Sequence, residues 1–457
     1  MAQDLSELQH VRRHFRPHNA DAQVIVLNTG ALIGPEAEAM MQALHSRSIG
    51  GFDHHFAEVF KRGAERFMAT TYVGYGHKSI GDCGSITIFI EGVSMLCAKA
   101  IQDSRLYNGQ ESSTRYIDFA TQPFVDPVDG GTNLWHKNLR DFYLTARAAL
   151  VPFLVNEHPR LDDEDEKKYE KAINARSFDI ARSLLPAGAS TNLAWHGSIR
   201  AIGDHLALLR HHPLEEVRVV AEATEDALKE AYPSSFSDKR YPATEDYNAA
   251  IMQGYYFNPT YTVEEFRMVD DGIDRATLDR YMVFLPNRPE WTELPRKIEG
   301  CGMLSYEFPL DFGSFRDIQR HRAVIQEMPL LTTNLGFEPW YVEQLPEMIR
   351  NEAGVLFAQN VIPYVIDRKK VMEEELQYYI PMGYRMPNRI AGGLHSLVYL
   401  AERRARSDVH PTLQVRAHEL ADDLRQRFRQ YGLVVHADTD QGRFSRKRGE
   451  QDIVMVE

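Results

Sequence analysis

The segment DSRLYNGQESSTRY, residues 103–116, carries more groups that bind ligands than groups that fill a core. Ser113 and Arg115 are two residues apart, so on an irregular loop both side chains can face one phosphate group. A guanidinium supplies a planar, charged set of donors, and a neighbouring hydroxyl adds another. The segment therefore predicts a site for an anionic ligand. For Arg115 considered alone, a surface or inter-helix ion pair is the alternative.

Short phrases recur in the same order in the two halves of the chain, at distances of 319 − 102 = 217, 379 − 184 = 195 and 410 − 212 = 198 residues. Because the order is kept while the spacing drifts, a diverged tandem duplication is favoured over chance. The pairs are Gln102–Arg105 with Gln319–Arg322, Leu184–Pro186 with Tyr379–Pro381, and His212–Arg218 with His410–Arg416.

The bulk composition limits the class of protein. A chain of 457 residues predicts two or three domains, and 43% hydrophobic with 26% charged residues is typical of a soluble globular protein. The net charge is 52 − 65 = −13, so the surface as a whole should repel nucleic acid. A phosphate ligand must then be held by a local cluster of arginines.

Several other classes of site are disfavoured. The chain has three widely spaced cysteines and no CxxC, which argues against disulfides and cysteine zinc sites and fits a reducing cytoplasm. Adjacent histidine pairs do not share a helix face, and neither a GxGxxG nor a P-loop is present. Neither a signal peptide nor an apolar stretch of membrane-spanning length is found, so no membrane association is expected.

The pattern of apolar residues predicts a mixed α+β fold. A segment rich in proline, serine and charge near the middle of the chain predicts one module over 1–235, a linker over 236–250 and a second module over 251–457. Strands are expected at 24–27, 85–90 and 306–310. Helices are expected at 35–44, 91–102 and 198–210, together with one that ends at residue 185 and one that begins at residue 214. The second half should begin with a helix capped by Thr262-x-x-Glu265, followed by helices at 343–350, 355–377, 390–407 and 412–430.

Residues 103–116 resemble the signature of flavin-dependent thymidylate synthases, R-H-R-x-x-S-x-N-E-x-S-x-R-Y. The end of the signature is present as Glu111, Ser113, Arg115 and Tyr116, whereas only Arg105 remains of its R-H-R. The second half shows the opposite loss, since its R-H-R is intact and the rest is gone. Further elements that resemble the family are Arg320-His321-Arg322, Gly76-His77-Lys78-Ser79, Ala181-Arg182-Ser183-Leu184-Leu185-Pro186 and Leu209-Arg210.

The resemblance implies two tandem modules of this family, each a small sheet with long helices. It also implies transfer of a one-carbon unit from methylene-tetrahydrofolate to C5 of dUMP, a pyrimidine nucleotide monophosphate, with FAD as the hydride carrier and NADPH as the reductant. The implied substrate-binding residues are Glu111, Ser113, Arg115, Tyr116, Arg182 and Arg105. The implied FAD-binding residues are Arg320, His321, Arg322, His77 and Ser79.

Arg210 resembles the arginine that activates the pyrimidine in this family. A guanidinium beside the ring favours the N3-deprotonated form, because an opposite charge lowers a pKa. An arginine that neutralises the dipole at a helix C-terminus is the alternative. For Arg320–Arg322 the alternative is a basic helix face paired with acids such as Asp317 and Glu327.

The two half-signatures complement each other. The family's sites lie between subunits of a homotetramer, so a fused pair of modules implies a homodimer that forms a pseudo-tetramer. One class of site would combine Glu111–Tyr116 with Arg320–Arg322 and keep the signature, and the other class would lose it. A related flavoenzyme with a changed pyrimidine substrate or outcome, and a non-catalytic scaffold that binds nucleotide or flavin, remain alternatives.

Overall fold

The computed structural model describes residues 10–27, 34–45, 54, 57–59, 61, 63–69, 72, 78–112, 119–128, 134–257, 259, 263–358, 372–407 and 409–437. The described residues fall into two compact units. Unit 1 draws on 1–113, 121–133 and 188–255, and unit 2 draws on 114–120, 134–187 and 256–457. The segment 134–187 therefore lies in unit 2, although the sequence-based division placed it in the first module.

The described strands and longer helices are numbered here in chain order. The strands are β1 His10–Phe15, β2 Ala22–Leu27, β3 Ser85–Ser94, β4 Asn108–Glu111, β5 Ser190–Ser198, β6 Arg267–Asp271, β7 Leu304–Asp311, β8 Ile325–Glu327 and β9 Arg385–Gly392. The helices are α1 Pro35–His45, α2 Met95–Gln102, α3 Leu134–Glu157, α4 Glu166–Ala181, α5 Ile199–Leu209, α6 Glu215–Ala231, α7 Pro242–Gln253, α8 Phe312–Ile318, α9 Glu347–Ala358, α10 Leu394–Arg404 and α11 Pro411–Arg427.

Shorter helical segments connect these elements. One-turn α-helices lie at Glu65–Phe67, Arg275–Leu278, Pro339–Glu343 and Glu373–Leu376. The 3-10 helices are Pro17–Asn19, Lys78–Asp82, Arg182–Leu184, Asp279–Tyr281, Arg296–Cys301, Gln377–Tyr379 and Arg429–Tyr431.

Each unit contains one antiparallel sheet. The sheet of unit 1 has the order β1-β2-β3-β5-β4, and that of unit 2 has the order β6-β7-β9-β8. The order β2-β3-β5-β4 thus has a counterpart in β6-β7-β9-β8. The connections also correspond, because a helix follows β3 and β7 at once, and two helices follow β5 and β9. The mixed α+β class predicted from the sequence is confirmed.

The residues of strand β3 explain its central position in the sheet of unit 1. Ile86, Ile88 and Ile90 alternate along one face and are buried. The expected strand ended at residue 90, but the pairing continues to Ser94 through a bulge after Glu91. Gly92 has φ +76, and a side chain there would meet the backbone oxygen of Asp21. Helix α2 therefore begins at Met95 and not at residue 91.

Other boundaries predicted from the sequence were wrong for similar reasons. The expected linker contains α7, which has Pro242 at the tolerated first helical position. The helix expected after Thr262 is replaced by strand β6, where Arg267 pairs with Glu307 of β7. The helix expected from residue 390 begins only at Leu394, after β9 ends. Strand β5 was not predicted at all.

A similar contact between two helices occurs in both units, at the helices that follow β3 and β7. In unit 1, Ser94 caps α2, and Glu216 from the first turn of α6 accepts hydrogen bonds from its backbone N at 2.7 Å and its Oγ at 2.5 Å. In unit 2, Asp311 caps α8, and Thr412 from the first turn of α11 donates to its Oδ1 at 2.6 Å. Both carboxylates are completely buried, so each joint depends on its hydrogen bonds.

We expect Thr412→Val to lower the free energy of unfolding by about 1–3 kcal/mol, because a buried carboxylate oxygen loses its donor while the side-chain volume is kept. Thr145→Val is the matched control, since Thr145 is exposed and bonds only to the backbone oxygen of Asp141 on its own helix. The control should change stability by less than about 0.5 kcal/mol. Urea denaturation measures both variants, and equal losses would contradict the role given to the Asp311 joint.

Candidate functional site

The residues predicted to bind ligands are distributed over both units. Ser113, Arg115, Tyr116 and His77 lie outside the described residues. Arg105, Glu111, Ser79 and Arg210 lie in unit 1, and Arg182, Arg320, His321 and Arg322 lie in unit 2. Arg105 and Ser79 are exposed, on the turn after α2 and in the 3-10 helix Lys78–Asp82. Arg322 is exposed as well.

Glu111 is held by a buried cation that the sequence analysis missed. Lys99 Nζ lies 2.8 Å from Glu111 Oε2, and these side chains are 0% and 3% exposed. Gln102 Nε2 also donates to the same carboxylate at 2.9 Å. The end of β4 is thereby fixed to α2, immediately before the segment that carries Ser113 and Arg115. A lysine within the otherwise apolar run MLCAKAI was the available signal.

Arg210 lies at the C-terminus of α5 and is bound by two carboxylates. It forms ion pairs with Glu225 of α6 and with Glu245 of α7, the latter at 2.8 Å. His211 Nε2 lies 2.9 Å from Glu245 as well. Burial raises the pKa of Glu245, but the hydrogen bonds from His211 and Arg210 lower it below its usual value. The guanidinium is thus already neutralised within unit 1.

In unit 2, residues of the two resembling elements meet around Asp317. We define the Asp317 cluster as Arg182, Arg316, Asp317, Arg320, His321 and Arg404. Arg182 comes from the 3-10 helix that continues α4, whereas Arg316 and Arg320 belong to α8 and the turn after it. Arg320 Nη2 lies 3.6 Å from Asp317 Oδ1. Arg404 at the end of α10 donates from Nη2 to the backbone oxygen of Asp317 at 2.6 Å.

The arginines of the cluster determine the charge of Asp317. Burial raises the pKa of this carboxyl group, but the nearby Arg320, Arg182, Arg404 and Arg316 lower it by more. The pKa of Asp317 is therefore below its usual value, and the group is ionised at neutral pH. The ionised Asp317 carboxylate thus lies within electrostatic reach of all four guanidinium groups.

Arg182 is the least satisfied member of the cluster. Its residue is 7% exposed, and among the described residues its Nε and Nη2 have no hydrogen-bond partner. Burial lowers the pKa of Arg182, but Tyr341, Asp179, Asp317 and Asp311 raise it by more, so the group stays charged. Buried donors without a partner are rare in folded proteins and often indicate a missing ligand or water.

His321 is buried against the last turn of α10. Arg404 Nε lies 2.7 Å from His321 Nε2, and the ring of Tyr399 lies 5.8 Å away in an edge-to-face arrangement. Burial, together with Arg404 and Arg403, lowers the pKa of His321 to about 3. The imidazole is therefore neutral at physiological pH.

One family model matches part of the first half of the chain. Residues 32–234 match the family model of the thymidylate synthase complementing protein. This region is similar to that family, and the match covers less than half of the chain. The matched region contains Glu111–Tyr116, Arg182 and Arg210, so the resemblance predicted from the signature is confirmed.

Relatives of the whole chain include UPF0159 proteins. Those of Chlamydia muridarum and Chlamydia pneumoniae are 24% and 25% identical, over 84% of this chain and 84% and 83% of theirs. That of Thermoplasma acidophilum is 21% identical over 84% of this chain and 92% of its own. The solved Thymidylate Synthase X (ThyX) of Helicobacter pylori, with FAD and dUMP, is 16% identical over 50% of this chain and 98% of its own, with a TM-score of 0.27.

Two other structural features are absent from the described residues. None of the helices described there is long and apolar enough to span a membrane. No group of three or more His, Cys, Asp or Glu residues that could hold a metal ion was found among the same residues.

We expect Lys99→Met to lower the free energy of unfolding by about 3–5 kcal/mol, because it leaves the Glu111 carboxylate buried without its cation. The double variant Lys99→Met/Glu111→Gln should regain most of this loss. Lys78→Met is the control, since its pair with Asp204 is exposed and should contribute less than about 1 kcal/mol. Denaturant titrations of the four chains compare their stabilities, and a double variant as unstable as Lys99→Met would contradict the buried pair.

Proposed function

We propose that the chain is a flavin-dependent thymidylate synthase-like enzyme that methylates C5 of dUMP. In this proposal methylene-tetrahydrofolate supplies the carbon, FAD supplies the hydride, and NADPH reduces the flavin. The observation that carries the proposal is the Asp317 cluster. It joins Arg182, from the family's nucleotide-binding element, to Arg320 and His321, from its flavin-binding element, although the two elements are 320 − 182 = 138 residues apart.

The proposal treats the chain as two tandem modules that share one working site. The counterpart orders β2-β3-β5-β4 and β6-β7-β9-β8 support the duplication. Unit 2 also draws α3, α4 and Arg182 from the first half of the chain. Complementary loss of the two half-signatures then leaves one composite site per chain. A homodimer that forms a pseudo-tetramer of modules, in the cytoplasm, completes this proposal.

Arg182 is proposed to bind the phosphate of the nucleotide. A phosphate oxygen would provide the acceptors that Nε and Nη2 lack among the described residues. The surrounding carboxylates keep the guanidinium charged and in place before the ligand arrives. On the resemblance alone, Ser113 and Arg115, which follow Glu111 in the sequence, are proposed to contact the nucleotide as well.

Arg320, His321 and Arg322 are proposed to bind FAD. The exposed Arg320 and Arg322 suit its pyrophosphate, which needs charged donors at the surface of the site. His321 is buried and neutral, and suits the uncharged flavin ring. The proposal assigns His77 and Ser79 to the same cofactor on the resemblance alone.

The ion pairs of Arg210 favour a second candidate function. Its guanidinium would have to exchange Glu225 and Glu245 before it could face N3 of a pyrimidine. This favours either a related flavoenzyme with a changed pyrimidine substrate or a scaffold that binds nucleotide or flavin without catalysis. The pairing leaves the phosphate- and flavin-binding roles of the Asp317 cluster unaffected.

The test is formation of dTMP from dUMP by the purified chain with FAD, methylene-tetrahydrofolate and NADPH. Arg182→Lys keeps the charge but loses the planar donors, and should weaken dUMP binding by about tenfold or more. Arg296→Leu is the control, because Arg296 is exposed in the same unit. Rescue of a thymidine auxotroph by the gene would confirm the reaction in cells.

The outcomes separate the candidates. FAD binding without dTMP formation would favour the changed substrate or the scaffold, and would overturn dUMP methylation. Absence of both FAD and dUMP binding would overturn the composite site as well. Equal effects of Arg182→Lys and Arg296→Leu would remove Arg182 from the proposed nucleotide site.

A further inference from the structure

We infer that Arg404 is a positioning residue that fixes His321 in the Nδ1–H tautomer, so that His321 is a hydrogen-bond donor to its ligand and not a general base. For the identity of that ligand, an acceptor atom of the flavin, the inference rests on the proposed function. The tautomer itself does not depend on the proposed function. Arg404 was not among the candidate residues from the sequence.

The contact with Arg404 requires His321 Nε2 to be a hydrogen-bond acceptor. Arg404 Nε lies 2.7 Å from it, and a guanidinium has donors but no acceptor. His321 Nε2 must therefore accept, and a neutral imidazole that accepts at Nε2 carries its proton on Nδ1. Arg404 is itself held, because its Nη2 donates to the backbone oxygen of Asp317 at 2.6 Å. The two bonds fix the guanidinium, and thereby the imidazole ring.

The charges around His321 oppose the doubly protonated form. From α10, Arg403 and Arg404 face the ring, and from the α8 side Arg320 adds a third cation while Asp317 opposes them. Burial adds to this effect, since the residue is 8% exposed. A protonated imidazole would also place an N–H against the Arg404 N–H. The neutral tautomer is therefore kept across the pH range in which an unperturbed histidine titrates.

The Nδ1–H group is the part of His321 left for a ligand. Among the described residues, none accepts a hydrogen bond from it. The backbone oxygen of His321 is occupied by Gln326 Nε2 at 3.3 Å, which holds the turn after α8. The chemistry that fits Nδ1–H is an uncharged or anionic acceptor, such as a carbonyl oxygen or a ring nitrogen of a flavin. Proton abstraction by His321 is excluded, because Nε2 is covered by Arg404.

The first test reads the tautomer in the ligand-free chain. Two-bond ¹H–¹⁵N correlation spectra of ¹⁵N-histidine-labelled protein distinguish the two tautomers, and His321→Asn assigns the signal. We expect Nδ1–H without titration between about pH 5 and pH 8, the range of an unperturbed histidine. Arg404→Leu should abolish this preference. Arg403→Leu, which removes a neighbouring exposed charge but no hydrogen bond to the ring, should keep it. An Nε2–H signal in the unaltered chain overturns the inference.

The second test measures FAD binding to identify which ring nitrogen of His321 is the donor. It does not require Arg404 variants to fold. In His321→Asn the amide nitrogen can take the place of Nδ1, whereas in His321→Gln it takes the place of Nε2. We expect the Asn variant to bind FAD within about threefold of the unaltered chain and the Gln variant to lose about tenfold. Equal losses in both variants overturn the donor role.

The two failures are distinguishable. If the unaltered chain binds no FAD but shows the Nδ1–H signal, the proposed function fails and the tautomer assignment stands. If it binds FAD with His321 as Nε2–H, the inference fails and the proposed function stands.

Discussion

Burial of a charged guanidinium is the constraint on which the proposed site depends. Arg182 is almost completely buried, and an isolated charge in that position would be strongly destabilising. Asp179, Asp311 and Asp317 offset it, and Asp317 is in turn stabilised by further arginines from α8 and α10. The arrangement balances charge without using all the donors of Arg182. In the proposed function, a phosphate of the nucleotide would accept hydrogen bonds from the remaining donors.

In each unit a buried carboxylate links the cap of one helix to the first turn of a later helix, but different residues provide it. In unit 1 the buried acid of the helix joint is Glu216, which reaches from α6 to the cap of α2. In unit 2 the acid is the cap itself, Asp311, and the last helix provides the hydroxyl of Thr412. Moving the acid onto the cap places it within electrostatic reach of Arg182. The two units therefore differ in the buried acid of this joint, and only in unit 2 does that acid act on the arginine that is proposed to bind the nucleotide.

Local patterns predicted the elements whose residues alternate or repeat clearly. The isoleucines of β3 and the apolar face of α5 belong to this group. Strand β5 was missed because Ser190, Thr191 and Asn192 open it with small polar residues, and its place depends on pairing with β3. Helix α7 was taken as a linker because its composition is polar and it begins with proline. Such elements are determined by partners distant in the sequence.

The site was predictable only in part for the same reason. Arg182, Arg320 and His321 were identified from short sequence motifs, and in the structure they lie in one unit. Lys99 was missed because its partner Glu111 lies on another element. Arg404 was missed because its partners, His321 and Asp317, are more than eighty residues away in the sequence. Asp317 had been weighed only as an alternative ion-pair partner, yet it is the centre of the cluster.

The central claim is that each chain holds one composite site, and equilibrium dialysis of the purified chain against FAD tests it most directly. The account predicts one FAD bound per chain, and loss of that binding in Arg320→Leu but not in Arg296→Leu. Two equivalent FAD molecules per chain, or none at saturating concentration, would contradict it.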